Sequence, residues 1–403
     1  MKVLKAAWIL PITSDPIENA CLFIKDGIIE KIISAKELES ISPNKYRIYD
    51  YGDAIILPGF INLHTHLEHT KLRYLAKETP FLKWLPKLME ATADWSFDNR
   101  LQSAQCGIEE SLKAGTTFIV DFSYNGASIG PLIKSGLRAL IGLETFGLDE
   151  SSAKLQWQQW LERYDNLISD KAVVGAMQKE RIMITVSPHA PYTVCPSLWR
   201  EALGWTRLHK LPLLTHLSES KEEFNWFNSE DSNLKQFLIS AFSKRIANFD
   251  QLYETQTVWK NPNKSPIEHL AQYDLLADNL IAAHVVQVNN QDIALLKDAG
   301  VAVAHCPSSN ITLKCGRAPL EKFLANKIPV GLGTDSAASS NNLSLLSEAN
   351  MAIELHKSYK TDLVLNAQQA IALVTIKAAE CLGLDDKLGS PEPGKWADVG
   401  VFT

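Results

Sequence analysis

The sequence predicts an α/β protein built around a (β/α)8 TIM barrel, with β-rich segments at both chain termini. Three observations support this fold class. Apolar runs of strand length alternate with helical stretches along the middle of the chain. Polar residues follow these runs, where the strands of a parallel barrel end. Both termini read instead as short strands and turns.

The domain boundaries follow from this change in pattern. We assign residues 1–56 and about 365–403 to the β-rich terminal segments, and residues 57–364 to the barrel. An insertion at about residues 221–272 follows the fifth barrel strand as a long, mixed helical segment. Long loops after barrel strands are where specificity is commonly built, so we expect this insertion to help select the substrate.

Eight barrel strands are predicted in sequence order. The first leads into His64 and His66, and helices are expected between the strands, for example at residues 100–114 and 287–299, with Gly115 and Gly300 as their C-caps. The other strands are predicted at residues 117–121, 139–143, 182–186, 213–216, 280–284, 301–305 and 330–335.

Composition limits the classes of partner. The net charge of −6 and the lack of Lys/Arg blocks argue against nucleic acid, whose phosphates need a basic surface. No apolar run reaches about 18 residues, so we expect no membrane span. With no convincing signal peptide and six scattered cysteines, we expect a cytoplasmic protein with free thiols that acts on a small molecule. A homodimer is one expected assembly.

His64 and His66 are the first candidate metal ligands. Side chains at i and i+2 of a strand lie on one face, so both imidazoles can point at one ion. A metal that activates water needs a few nitrogen or oxygen ligands and an open position, and His216 and Asp335 complete such a set. Taken alone, His216 also fits a core histidine, and Asp335 also fits a helix N-cap.

Several phrases resemble the amidohydrolase superfamily. They are Pro58-Gly59-Phe60-Ile61-Asn62-Leu63-His64-Thr65-His66, Thr215-His216-Leu217-Ser218-Glu219, Pro188-His189-Ala190-Pro191-Tyr192-Thr193 and the closing Gly394-Lys395-Trp396-Ala397-Asp398-Val399. The resemblance implies that the two chain ends, residues 1–56 and about 365–403, meet in one small composite β-sandwich domain. It also implies metal ligands after the first, fifth and eighth strands, at His64, His66, His216 and Asp335. No lysine follows the fourth strand, where binuclear members carry a bridging one, so one metal is expected. Zinc is the first choice, and iron and manganese remain open because His and Asp ligands suit all three.

The resemblance also implies the catalytic roles. Glu219 is expected to take a proton from water and to pass it to the substrate ring. His284 is expected to orient the water or leaving group, and direct binding of the metal by His284 stays open. Asp335 is expected both to bind the metal and to hold a proton. The residues expected to contact the substrate are His189, Glu68, Trp84, Arg317 and Ser336.

Three further phrases narrow the resemblance: Thr65-His66-Leu67-Glu68, His305-Cys306-Pro307-Ser308-Ser309-Asn310 and Gly331-Leu332-Gly333-Thr334-Asp335-Ser336. They resemble the branch of cytosine-deaminase-like and chlorohydrolase-like enzymes, with the greatest similarity to aminodeoxyfutalosine deaminases. The expected reaction is hydrolytic deamination of a purine nucleoside-type heterocycle, 6-amino-6-deoxyfutalosine of menaquinone biosynthesis, with attack at carbon 6 and release of ammonia. Alternatives are deamination of S-adenosylhomocysteine, methylthioadenosine or guanine, and triazine chlorohydrolysis. This chain has Ser308-Ser309-Asn310 where many relatives carry an arginine before the Ser-Asn pair. If that arginine binds a substrate carboxylate in the relatives, its absence here argues against the futalosine-type substrate. A non-catalytic barrel is disfavoured because the ligand set and Glu219 are all present.

Overall fold

The computed structural model describes residues 1–40, 46–229, 233–242, 263–358 and 365–403. Its strands are β1 (Lys2–Ile9), β2 (Ile17–Lys25), β3 (Ile28–Ser34), β4 (Arg47–Asp50), β5 (Ile55–Pro58), β6 (Phe60–Thr65), β7 (Thr116–Ser123), β8 (Arg138–Thr145), β9 (Ile182–Pro188), β10 (Leu213–Leu217), β11 (Leu280–His284), β12 (Ala302–His305), β13 (Val330–Leu332) and β14 (Val399–Phe402).

Its helices are α1 (Ala35–Leu38), α2 (Phe81–Thr92), α3 (Phe97–Lys113), α4 (Ile129–Ser135), α5 (Ala153–Ile168), α6 (Lys171–Gln178), α7 (Pro196–His209), α8 (Lys221–Asn228), α9 (Asn233–Phe242), α10 (Pro266–Gln272), α11 (Asn290–Ala299), α12 (Pro307–Thr312), α13 (Leu320–Ala325), α14 (Ala337–Ser340), α15 (Leu345–Ser358), α16 (Ala367–Leu373) and α17 (Ile376–Leu382). Short 3-10 helices cover Leu67–Leu72 and Glu150–Ser152.

The eight predicted barrel strands form two parallel sheets of four strands. One sheet has the order β6-β7-β8-β9 and the other has the order β10-β11-β12-β13. The α/β class with parallel strands is therefore confirmed. Because the strands run parallel, their carboxyl ends lie at the same edge, and all the polar residues that follow them gather there.

The two sheets meet at both margins through single main-chain hydrogen bonds. The His216 N–H donates to the His189 carbonyl at 2.9 Å, which links β10 to the residue after β9. The Asp335 N–H donates to the His64 carbonyl at 2.9 Å, which links the chain after β13 to β6. Both contacts lie at the carboxyl ends of the strands, so the margins of the sheets coincide with the candidate site.

The parallel strands are buried on both faces, which explains their almost continuous apolar sequences. In β7, Phe118 and Val120 pack in one apolar cluster with Leu214 of the other sheet, whereas Ile119 faces a second cluster that includes helix residues. Gly142 of β8 permits close packing, because a Cβ there would lie 2.7 Å from Leu214 Cδ1. The strand periodicity of two therefore divides the apolar residues between an inner and an outer core.

Both chain ends contribute to a separate six-stranded sheet. Its order is β14-β5-β1-β2-β3, with β4 paired to β1. Strand β14 runs antiparallel to β5, and Val401 lies opposite Ile56. The N-terminal and C-terminal strands therefore meet in this sheet. However, α16 and α17 lie against the parallel strands, where Ala378 and Ala379 share the inner cluster with Leu63. Residues 365–382 thus pack with the barrel strands.

The predicted insertion contains α8, α9 and α10 in its described parts, while residues 230–232 and 243–262 lie outside the described residues. The helix predicted at residues 287–299 begins at Asn290. Its start is later than predicted because the Asn289 side chain accepts from the main-chain N–H groups of Gln291 and Asp292. Within the described ranges, none of the helices has the length and apolarity that crossing a bilayer requires.

Candidate metal centre and substrate cavity

The structure brings His64 and His66 together at the end of β6. Their ring centroids are 5.0 Å apart, and His64 is completely buried. The Phe122 ring meets the edge of the His64 ring at 4.3 Å and fixes its plane. Neither ring nitrogen of His64 has a hydrogen-bond partner among the described residues. A buried imidazole without partners is costly, so these nitrogens point to a ligand outside the polypeptide.

His66 and His216 present unprotonated nitrogens to each other. The Nδ1–H of His66 donates to the Phe122 carbonyl at 3.0 Å, and that of His216 donates to the His189 carbonyl at 2.8 Å. Burial lowers the pKa of both imidazoles well below the ordinary value, so both rings are neutral. Their Nε2 atoms therefore carry lone pairs only 3.0 Å apart. Two acceptors at that distance require a cation between or beside them.

Asp335 closes this group from the chain that follows β13. Its Oδ1 atom lies 3.5 Å from His64 Nε2 and 3.8 Å from His66 Nε2. Its Oδ2 atom accepts from the Ser309 hydroxyl at 2.6 Å and from the Ser339 hydroxyl at 2.7 Å. These hydroxyl and imidazole neighbours hold the carboxylate in one orientation, as the partners of metal ligands commonly do.

These donors fit one divalent metal ion. Ligand atoms of His64, His66 and Asp335 lie within 4.8 Å of one another, and so do those of His64, His216 and His284. An imidazole ring that donates one N–H to a carbonyl presents its second nitrogen as a ligand. Such rings, together with a carboxylate, form a ligand set that zinc, iron and manganese accept. A third such group of ligand atoms joins His66 and His216 to Glu144, so the four predicted ligands belong to overlapping groups rather than to one.

Glu219 reaches the same space through a sharp turn after β10. Ser218 has a φ of 55°, in the left-handed region, which reverses the chain just after the strand. The main-chain N–H groups of Ser218 and Glu219 donate to the Glu223 carboxylate at 2.9 and 2.8 Å and fix this turn. Burial raises the pKa of Glu219 to about 7, against the opposing effect of His284. A carboxyl near neutrality suits proton transfer at physiological pH.

His284 lies at the end of β11, opposite Glu219. Its Nδ1 atom lies 2.9 Å from the Asn310 side-chain oxygen, so Nδ1–H donates and Nε2 faces the cavity. The Nε2 atom is 3.9 Å from Glu219 Oε1. His284 has a φ of 75° and Val285 a φ of 48°, which turn the chain away immediately after the ring. The arrangement lets His284 orient a small polar molecule beside Glu219.

A cavity of about 580 Å³ opens above these groups. Among the predicted substrate-binding residues, His189, Trp84 and Ser336 line it. The His189 ring stacks with Phe146 at 4.8 Å, and its Nδ1 atom lies 2.9 Å from the Thr193 hydroxyl. The Trp84 indole N–H donates to the Ala338 carbonyl at 3.1 Å. The walls are therefore mostly aromatic and apolar, with a few fixed polar groups, as small-molecule sites commonly are.

The structure does not bring Glu68 and Arg317 into this cavity, which corrects the expectation that they contact the substrate. Glu68 is buried at the start of a 3-10 helix, where it accepts from the Ser123 hydroxyl and lies 3.8 Å from Arg100. Arg317 donates twice to the Glu321 carboxylate, at 2.6 and 2.9 Å, one helical turn further on. Nearby oppositely charged or polar groups thus draw both side chains away from the cavity.

Three further groups were missed by sequence reasoning. Ser309 and Asn310 support Asp335 and His284, although their phrase in the sequence draws attention only through the absence of an arginine. Glu144, at the end of β8, also lines the cavity. Its position after an apolar strand was the available signal. Burial raises the pKa of Glu144 to about 8, with Glu68 and Asp121 adding to the effect.

Comparison with known proteins shows the family. The Amidohydrolase family profile matches residues 55–403. A 5-methylthioadenosine/S-adenosylhomocysteine deaminase of Teredinibacter turnerae is 31% identical over 411 residues, which cover 98% of this chain and 82% of the relative. The chain thus belongs to the amidohydrolase family and is a hydrolase that acts on carbon–nitrogen bonds, as predicted.

Two solved structures share the fold. An adenosine deaminase from Xanthomonas campestris, with bound zinc, superimposes with a TM-score of 0.79 at 24% identity. The matched part covers 99% of this chain and 84% of the deaminase chain. Helicobacter pylori aminofutalosine deaminase, in complex with methylthio-coformycin, has a TM-score of 0.81 at 21% identity, with 100% and 92% covered. At these identities the likeness supports the fold alone.

Proposed function

We propose that this chain is a metal-dependent hydrolytic deaminase of a purine nucleoside-type substrate, with 6-amino-6-deoxyfutalosine as the first candidate. That substrate would place it in menaquinone biosynthesis by the futalosine route. The names of the relatives support the nucleoside class, since one acts on 5-methylthioadenosine and S-adenosylhomocysteine. The proposed reaction adds water at carbon 6 and releases ammonia, so that the amino group is replaced by an oxo group.

The observation that carries the proposal is the position of Glu219 beside the His/Asp cluster at the base of the cavity. A divalent cation, with zinc as the proposed ion, would be held by His64, His66, His216 and Asp335 and would make water acidic enough to react. Glu219 would then accept a proton from that water and deliver it to ring nitrogen N1. His284 and Asp335 would fix the orientation of the water through Nε2 and Oδ1.

The shape of the cavity supports a flat heterocycle. Phe146 and His189 stack on one wall, and Trp84 lies on another. His189 is neutral, because burial lowers its pKa to about 4, so it can exchange a hydrogen bond with a ring nitrogen without adding charge. We propose His189, Trp84 and Ser336 as substrate contacts.

We also propose that the two parallel sheets form one closed (β/α)8 barrel and that the terminal sheet belongs to a composite β-sandwich. The hydrogen bonds at both margins of the parallel sheets support the first part. The pairing of β14 with β5 supports the second. A cytoplasmic location and a homodimer remain predictions from the sequence.

Replacement of Glu219→Gln tests the catalytic role. The introduced amide keeps the size of the side chain but cannot carry the proton, so we expect turnover to fall about 10²- to 10⁴-fold while metal content stays near that of the wild type. Glu222→Gln is the matched control, since Glu222 belongs to the same acidic run but does not line the cavity. A Glu219→Gln enzyme with an unchanged rate would contradict the role.

A substrate screen tests the reaction itself. Ammonia release and the accompanying ultraviolet change should be followed with 6-amino-6-deoxyfutalosine, adenosine, S-adenosylhomocysteine and methylthioadenosine, which lose the amino group from carbon 6, and with guanine, which loses it from carbon 2. We expect release from at least one purine by the zinc-loaded enzyme. Absence of release from all five would argue for a triazine-type hydrolase instead.

A further inference from the structure

One polar group in the cavity has no task in the proposed reaction. Glu144 extends from the end of β8, is only 6% exposed, and lines the cavity beside the candidate metal ligands. Its Oε1 atom has no hydrogen-bond partner among the described residues. A buried carboxyl oxygen without a partner is costly, so its retention in a cavity wall points to a donor that arrives with the substrate.

The main chain at Glu144 is firmly held, although Oε1 is unpartnered within the described part of the chain. The Arg163 guanidinium donates to the Glu144 carbonyl at 2.8 Å, and Glu144 pairs in register with Ser187 of β9. Arg163 therefore stabilises the main chain at this point. The position of the carboxyl is thus set by the strand, as binding groups on rigid elements commonly are.

Glu144 and Glu219 approach the reacting position from different sheets. A carboxylate oxygen of Glu144 lies within 4.8 Å of ligand nitrogens of His66 and His216. Glu219 lies instead beside His284; Glu219 follows β10 and His284 ends β11, two strands of the other sheet. A substrate carbon placed above the histidine cluster would therefore have Glu219 at one of its substituents and Glu144 near another.

We infer that Glu144 accepts a hydrogen bond from the exocyclic amino group of the substrate and so selects amino-substituted heterocycles. The reacting carbon bears a ring nitrogen, which would face Glu219, and the group that leaves. An amino group offers N–H donors to a carboxyl oxygen, whereas a chloro substituent at the same carbon offers none. The amino group would satisfy Oε1, and a chloro group would leave it unpaired.

This inference rests on the proposed deaminase function, because it assigns a role to Glu144 within the same reaction. It accounts for a preference between an amino and a chloro leaving group, which the metal centre alone does not determine. Water can displace ammonia or chloride at such a carbon with the same ligands and the same Glu219, and both reactions give the 6-oxo product, with release of ammonia or of hydrogen chloride. Loss of a hydrogen bond to a buried group typically changes such a preference about 10- to 100-fold.

The test compares two probes that yield the same product, adenosine and 6-chloropurine riboside. The ratio of their kcat/KM values is measured for zinc-loaded wild type, Glu144→Leu and Glu144→Gln. A leucine side chain cannot accept a hydrogen bond, so in Glu144→Leu we expect the ratio of amino to chloro substrate to fall about 10- to 100-fold. Glu144→Gln retains an amide oxygen as acceptor, so its ratio should lie between those of wild type and Glu144→Leu. Metal content should equal that of the wild type in both.

Glu162→Gln is the matched control, because it makes the same chemical change at an exposed residue of α5 that does not line the cavity. Its ratio should equal that of the wild type. Equal losses with both probes, an unchanged ratio in Glu144→Leu and Glu144→Gln, or loss of bound zinc would each overturn the inference. The ratio is internal to each preparation, so partial misfolding does not alter it. Failure of the deaminase proposal is separate, since it shows in the wild type as no ammonia from any purine tested.

Discussion

Gly333→Ala should disturb the metal centre without changing any ligand. Gly333 precedes Asp335 by two residues and crosses the main chain at His64. A Cβ at Gly333 would lie 2.7 Å from His64 Cβ, 2.8 Å from His64 N and 3.0 Å from His64 O. Two of these three atoms belong to the backbone, which cannot rotate aside. Alanine therefore requires β6 and the chain after β13 to separate.

The size of the effect follows from these distances. Non-bonded carbons approach to about 3.5–4.0 Å, so His64 and residue 333 must move apart by roughly 0.8 Å. The bond between Asp335 N and the His64 carbonyl, now 2.9 Å, crosses the same gap and would lengthen. Metal ligands tolerate about 0.2 Å. We expect zinc affinity or kcat/KM to fall about 10- to 100-fold, and the free energy of unfolding to fall by about 1–3 kcal/mol.

The assay measures zinc retained against a competing chelator, kcat/KM and the thermal midpoint for Gly333→Ala and for Gly204→Ala. Gly204 lies within α7, and nothing stands within 4 Å of a Cβ built there. The same chemical change at that site should stabilise the protein by about 0.5–1 kcal/mol and leave zinc affinity unchanged. Wild-type zinc affinity and rate in Gly333→Ala would refute the reasoning.

Two other substitutions separate ligand from supporting roles. His66→Ala should abolish most zinc binding, because Nε2 of His66 faces His216 at 3.0 Å, and full zinc content measured by elemental analysis would remove His66 from the site. Asn310→Leu should lower kcat about 10- to 100-fold at unchanged zinc content, because the ring of His284 loses the acceptor that orients it. Steady-state kinetics would contradict this orienting role if kcat stayed at the wild-type value.

The local pattern of the sequence was sufficient to predict the eight parallel strands and the places where ligands emerge. A parallel strand that is buried on both faces reads as an almost continuous apolar run, which few other structures give. The residue after it lies at one edge of the sheet. His64, His216 and Asp335 each follow such a run closely, so their convergence could be anticipated. The same argument applies to Glu144 at the end of β8, which no motif singles out.

Side-chain direction in the loops could not be predicted in this way. Glu68 comes two residues after His66, but a 3-10 helix begins at Leu67 and turns its carboxyl toward Ser123 and Arg100. Arg317 comes only seven residues after Asn310, which supports the site, but the Glu321 carboxylate one helical turn later accepts two hydrogen bonds from its guanidinium. Outside regular elements there is no periodicity that fixes direction, so the available partners decide it.

The site also shows why its support lies in several segments. Ser218, His284 and Asp335 have φ values of 55°, 75° and 55°, which cost of order 1–3 kcal/mol each for residues other than glycine. Main-chain hydrogen bonds from the next segments offset that cost: Val285 N–H donates to the Leu217 carbonyl at 3.0 Å, and Asp335 N–H donates to the His64 carbonyl. Each of these turns therefore depends on a main-chain hydrogen bond to the adjacent segment for its stability. A substitution at one turn, such as Gly333→Ala, should therefore displace the ligands on the adjacent strand, His64 and His66, as well as Asp335.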